Sequence, residues 1–196
     1  MRMRTGGLVS AAAVLAAGLL IAPVLIDAQT MGQPERFSAM AVNMNVGRTG
    51  TVEIVVNRWS TDAERTGLVQ TALEKGPDKL LSTLQKLPRV GYIRSPESVG
   101  WDLHYAHHVA LPDGGEQIVI ATDRPIGFRE ASRQPRSIDY PFTVIEMRLN
   151  ADGEGQGTMS VATKVIAEKD KQTITLENFS TTPVLLQSVK RERQSQ

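Results

Sequence analysis

Residues 101–123 read WDLHYAHHVALPDGGEQIVIATD. Two β-prone segments flank Pro112-Asp113-Gly114-Gly115, a strong turn signal, so the stretch reads as an antiparallel hairpin. Along an unbroken 101–111 strand, Trp101, Leu103, Tyr105, His107 and Val109 share one face. Asp102, His104, Ala106 and His108 share the other. The first face is apolar and is assigned to the core, and the second is the polar face.

The neighbouring segments extend this pattern. Toward the N-terminus, RFSAMAVNM (36–44) and TVEIVVNRW (51–59) flank a turn with two glycines. Val52, Ile54 and Val56 alternate with Thr51, Glu53 and Asn57, the period of a half-buried strand. The period then changes. Thr61-Asp62-Ala63-Glu64 predicts a capping box. Leu68, Val69, Ala72 and Leu73 follow at helical spacing, Gly76 supplies a left-handed stop, and Pro77 opens a second helix. That helix carries Leu80, Leu81, Leu84 and Leu87 on one face and ends at Pro88. Residues 62–87 therefore predict a helical hairpin inserted between strands, with a core-facing leucine stripe.

Toward the C-terminus come PFTVIEMRLN (141–150), GTMSVATKVIAEK (157–168), TITLENF (173–179) and VLLQSV (184–189). VGYIR (90–94) is a short edge strand or connector. The expectation is a mainly β (α+β) domain over residues 36–190. It would be an antiparallel β-sandwich or open barrel of about eight strands with an inserted helical hairpin. Residues 29–35 are assigned to a linker and 191–196 to a charged tail.

The chain opens MRMRTGGLVSAAAVLAAGLLIAPVLIDAQT. Arg2 and Arg4 precede a run of apolar and small residues, and Ala28 ends a small-residue cleavage pattern, so residues 1–28 read as a secretory signal peptide. The run is long, and an uncleaved N-terminal anchor is the competing reading. Export predicts a periplasmic or secreted protein with no membrane span after cleavage. There is no cysteine, so neither a disulfide nor a lipidated N-terminal cysteine enters the reading. Cleavage would remove two of the 22 basic and one of the 21 acidic residues, leaving the charges balanced. Nucleic-acid binding wants a basic excess and is disfavoured.

Three places carry candidate chemistry. Asp102 and His104 lie two residues apart on the polar face, about 7 Å between backbones, a workable spacing for two metal ligands or for a hydrolytic acid–base pair. His108 is about 13 Å from His104, too far to share one ion along a straight strand. Either role needs a third group from elsewhere in the fold. Arg124, Arg129, Arg133 and Arg136 cluster in the connector 124–139, where guanidinium groups could clamp a carboxylate or phosphate. Arg58 ends the Val52/Ile54/Val56 stripe and is expected at the core rim, on a carboxylate or against Trp59 or Trp101. The chain has no G-x-S-x-G elbow, P-loop, dinucleotide fingerprint or H-E-x-x-H motif, and no cofactor is expected.

Four stretches, NRWSTDAER (57–65), RVGYIRSPESVGWDL (89–103), IVIATDRPIGF (118–128) and DYPFTVIEMRLN (139–150), resemble an uncharacterised family of exported, signal-peptide-bearing bacterial proteins. That resemblance implies a cell-envelope or secreted location and supplies no functional residues. The reading that follows is a non-enzymatic exported binding module for a small apolar or anionic ligand, or for a protein partner in the cell envelope. A hydrolase-like enzyme using Asp102 and His104, with or without a metal, is the alternative.

Overall fold

The computed structural model describes residues 34–96, 98–126, 140–171, 173–178 and 182–192. The first half runs β1 (Glu35–Asn43), β2 (Arg48–Val56), α1 (Asp62–Lys75), α2 (Pro77–Leu84), β3 (Gly91–Arg94), β4 (Trp101–Leu103) and β5 (Tyr105–Ala110). The second half adds β6 (Glu116–Thr122), β7 (Phe142–Leu149), β8 (Glu154–Glu168), β9 (Thr173–Asn178) and β10 (Val184–Arg191). The mainly β class and the inserted helical pair are as expected. β1 begins at Glu35 and β10 ends at Arg191, residues assigned from sequence to the linker and the tail.

All strand pairs are antiparallel, in the order β4-β3-β2-β1-β10-β8-β7-β6-β5, with β9 attached to β8 alone. The two ends of that path, β4 and β5, are consecutive in sequence and separated only by His104. The sheet therefore curls into a near-closed barrel. The segment expected as one straight strand is two. Its first part bonds to β3 and its second to β6, and the His104 amide donates to the Ala121 carbonyl at 3.1 Å.

This break corrects the assigned faces. Leu103 and Ala106 are both fully buried in the barrel interior, although an unbroken strand would put them on opposite faces. Tyr105 instead packs outward, beneath the helices. A strand that must change partners to close a barrel cannot keep one side-chain parity, and the parity flips at His104.

Two cores result. Phe37, Ile54, Ile93, Ile120, Met147 and Leu186 are among the residues that fill the barrel. Outside it, Leu68, Ala72, Leu80 and Leu84 of the helices pack on Phe142, Val144 and Val165. β6 shows why: Ile118 and Ile120 point inward while Val119 and Ala121 point to the helices, so a continuous apolar run replaces alternation. Both helices start as expected and α1 stops at Gly76, but α2 ends at Leu84, short of the expected stop at Pro88. Thr61 Oγ1 accepts from the Glu64 amide (3.2 Å) and Glu64 Oε2 accepts from the Thr61 amide (2.9 Å). Gly76, at φ 80°, ends α1 and admits Pro77 at the start of α2.

Two irregularities shape the barrel. Ser188 sits at φ 50°, within the stretch where the β10 register shifts against both β8 and β1. This bulge returns Val189 to the core and brings Arg191 to the barrel end. At Gly155 a Cβ would stand 1.9 Å from the Arg148 carbonyl oxygen, so β7 and β8 meet there only because the residue is glycine.

Candidate functional site

The barrel has two ends of different character. At one end β1 begins and β10 finishes, and five polar or aromatic side chains from different elements form a ring. Trp59 Nε1 donates to Glu35 Oε1 at 2.8 Å. Glu35 Oε2 lies 2.9 Å from Arg191 Nε, an ionic contact whose N–H is not aimed as a hydrogen bond. Arg191 also donates to Glu116, which holds His108 Nδ1 at 3.1 Å. The His108 ring closes the circuit by stacking on Trp59, with centroids 4.4 Å apart. The Arg191 guanidinium further lies 5.3 Å from the centre of the buried Phe37 ring.

The electrostatics follow from this geometry. The Glu116 hydrogen bond raises the His108 pKa above the usual histidine value, against partial burial, which lowers it. The same bond is the main cause that holds the Glu116 carboxyl below the usual glutamate value. Each charge thus has a partner, and the ring ties β1, β5, β6, β10 and the residues after β2 together.

The opposite end is open and mostly apolar. A cavity of about 210 Å³ enters the barrel there, lined by Ala41, Ile93, Trp101, Ile126, Met159 and Val184, among others. Ile126 is held in the mouth by Thr143, whose buried hydroxyl accepts from the Ile126 amide at 2.8 Å and reaches the Val161 carbonyl at 2.8 Å. Arg48 and Arg94 also line the cavity. Arg94 is occupied by Glu53, with Nε 2.5 Å from Oε2, and that contact depresses the Glu53 pKa. Arg48 has no carboxylate partner among the described residues.

The residues singled out from sequence are distributed differently. Asp102 pairs outward with Arg89 at 2.8 Å, both about half exposed. His104 is largely buried, with Nδ1 3.1 Å from the Leu87 carbonyl and Nε2 3.7 Å from Asp123. The two side chains engage different partners, and the third group sought for them joins only His104. Among the described residues no three His, Asp or Glu side chains converge to hold a metal ion.

Arg58 is at the core rim as expected, and its partner is the capping carboxylate. It donates to Glu64 through two bonds of 2.9 and 3.0 Å, which lowers the Glu64 pKa. Because β2 ends at Val56, Arg58 no longer continues the inward stripe but turns to α1. Arg124 is exposed and lies 3.2 Å from Asp123. Arg129, Arg133 and Arg136 lie outside the described residues.

The ring at the paired end was not visible in sequence. Glu35 was assigned to a linker and Arg191 to a tail, and they meet only when β1 and β10 pair. The available signal was Trp59 beside Arg58 at a strand end, which suggested a rim aromatic but named no partner. No protein-family model matches the chain, and searches of curated proteins and of solved structures return no match. Among the described residues no helix is long and apolar enough to cross a membrane.

Proposed function

We propose that this chain is an exported, non-enzymatic binding protein that takes a small apolar ligand with an anionic end into the open barrel mouth. The observation that carries this reading is the contrast within one barrel: charges are mutually paired at one end, while the other holds an apolar cavity with Arg48 at its edge. At about 210 Å³ the cavity falls just below the common small-molecule range of about 300–1,000 Å³, which suits a compact ligand. Apolar walls would supply the driving force and Arg48 the orientation. The leader-like residues 1–28 support export.

Anilinonaphthalene sulfonate, an aromatic anion, tests the site. Trp101 lines the cavity, so its fluorescence in a Trp59→Phe background should change on titration. Ala41→Leu should fill the mouth and abolish that response while the far-UV circular dichroism stays native. An unaltered titration with Ala41→Leu would remove the mouth as the site. N-terminal sequencing of the protein from its source cells tests export, with Gln29 expected as the first residue.

A further inference from the structure

A second concave site lies outside the barrel, between the helical hairpin, the outer faces of β5–β8 and the β8–β9 arm. It is a groove of about 250 Å³. Leu68 and Leu80 form one wall and Val165, Ile174 and Leu176 the other, over a floor that includes Ala121. The wall contributed by β9 is incompletely covered: Ile174 and Leu176 remain 38% and 36% exposed. Val165 pairs with Leu176 and Ala167 with Ile174, so the arm turns a continuous apolar face toward the helices. An apolar face left this open favours an apolar occupant.

The groove also has a polar end. Arg65 and Tyr105 both line it. The Tyr105 phenol is more than half buried, and burial raises its pKa while the adjacent Arg65 charge works the other way. Arg65 has no carboxylate partner among the described residues. A cation and a hydroxyl donor side by side match two acceptor oxygens on one carbon. Glu146 lines the same groove but is exposed, and neither Glu146 nor Arg65 shows a mutual ion pair. It is therefore a solvated carboxylate that a bound anion must tolerate, not a partner that neutralises Arg65.

We propose that this groove binds an alkyl carboxylate, its head group on Arg65 and Tyr105 and its chain along Leu68, Leu80, Val165 and Leu176. The site uses the outer surface of the barrel and shares no residue with the mouth, so it stands or falls independently of the proposed ligand there. At about 250 Å³ the groove has room for a single alkyl chain and is too small for a folded protein segment.

Calorimetric titration with decanoate, decanol and decyltrimethylammonium tests the proposal. Decanoate should bind about tenfold or more tighter than either control, the preference expected of charge-assisted hydrogen bonds. Arg65→Gln should erase that preference, Leu176→Glu should weaken decanoate about tenfold by placing a charge beside the chain, and Glu146→Gln should strengthen it. All three positions are exposed or at the groove edge, and unchanged circular dichroism melts would confirm intact folding. Methyl NMR adds a readout that needs no substitution: decanoate should shift Val165 and Leu176 in the groove, whatever Val184 reports for the mouth. Equal binding of decanol, no binding of decanoate, or shifts confined to Val184 would each overturn the assignment.

Discussion

The two ends of the barrel solve the same problem in opposite ways. Every barrel end must dispose of strand termini and their side chains. At the β1/β10 end, Glu35, Trp59, His108, Glu116 and Arg191 pair with one another, although the buried Arg191 Nε–H has no hydrogen-bond acceptor. At the other end, Ile93, Trp101, Met159 and Val184 face a space they do not fill. A polar end can be closed by directional pairing between partly exposed groups. An apolar end can be closed only by volume, and here the volume is incomplete. The difference separates an end held by pairing from an end that leaves space, and the proposed ligand belongs to the second.

The comparison breaks most severely where backbone, not side chain, is at stake. Gly155→Ala at the paired end forces a Cβ against the Arg148 carbonyl, a clash no rotamer relieves. A loss of about 3 kcal/mol or more is expected, read as a fall in the urea midpoint. A change there of under about 1 kcal/mol would mean the strands can part freely at that point.

Next in size is the ring itself. Glu116→Gln removes the charge shared by His108 and Arg191, and should cost about 1–2 kcal/mol. The lower part of that range is favoured because His108 and Arg191 are 40% and 35% exposed and hence screened.

The pH dependence of the ring has a definite sign. The folded His108 pKa is raised, so its contribution is complete below the ordinary value of 6.5 and fades as pH rises through the raised one. The folded Glu116 pKa is lowered, so its contribution is complete above 4.5 and fades as pH falls through the lowered one. Stability from this pair should therefore plateau between 4.5 and 6.5 and decline on both sides. Urea midpoints across that interval check the plateau, and the alkaline decline should be weaker in Glu116→Gln. Because His108 stacks on Trp59, tryptophan fluorescence should titrate with the same histidine. A Trp59 signal insensitive to pH would show that the stack does not persist in solution.

At the open end, the expected pattern reverses. Ala41→Leu should alter stability by less than about 1 kcal/mol, since it adds carbon to empty space, while eliminating ligand binding. Thermal melts and the sulfonate titration together separate these outcomes. The smallest effect belongs to the β10 bulge. Ser188→Gly should gain about 0.5 kcal/mol, because the left-handed conformation costs serine about 1 kcal/mol and glycine returns part of that in unfolded-chain entropy. A loss instead would mean the serine side chain contributes more than its strained backbone costs.

Much of the frame was legible before any coordinates. The capping box at Thr61–Glu64 and the Gly76-Pro77 junction act over a few residues and appear as anticipated, whereas the half-buried alternation of 51–56 gives way at Val55, which is buried along with Ile54 and Val56. The candidate sites were less legible for a common reason. Asp102 and His104 looked like a pair only on the assumption of an unbroken strand. Once the chain breaks at His104, Asp102 turns to Arg89 and His104 to Leu87 and Asp123. Arg58 fared better because its partner, Glu64, is six residues away.

By itself, then, the sequence determined most of the strands, the helical hairpin and its caps, because period, turn chemistry and capping are local properties of the chain. Tertiary structure alone decided that the sheet nearly closes at His104, that Glu35 meets Arg191, and that one barrel end carries a charge network while the other holds an apolar cavity. Those outcomes depend on which distant strands pair and in what register. Residues far apart in sequence gain their chemical meaning only when the barrel brings them together.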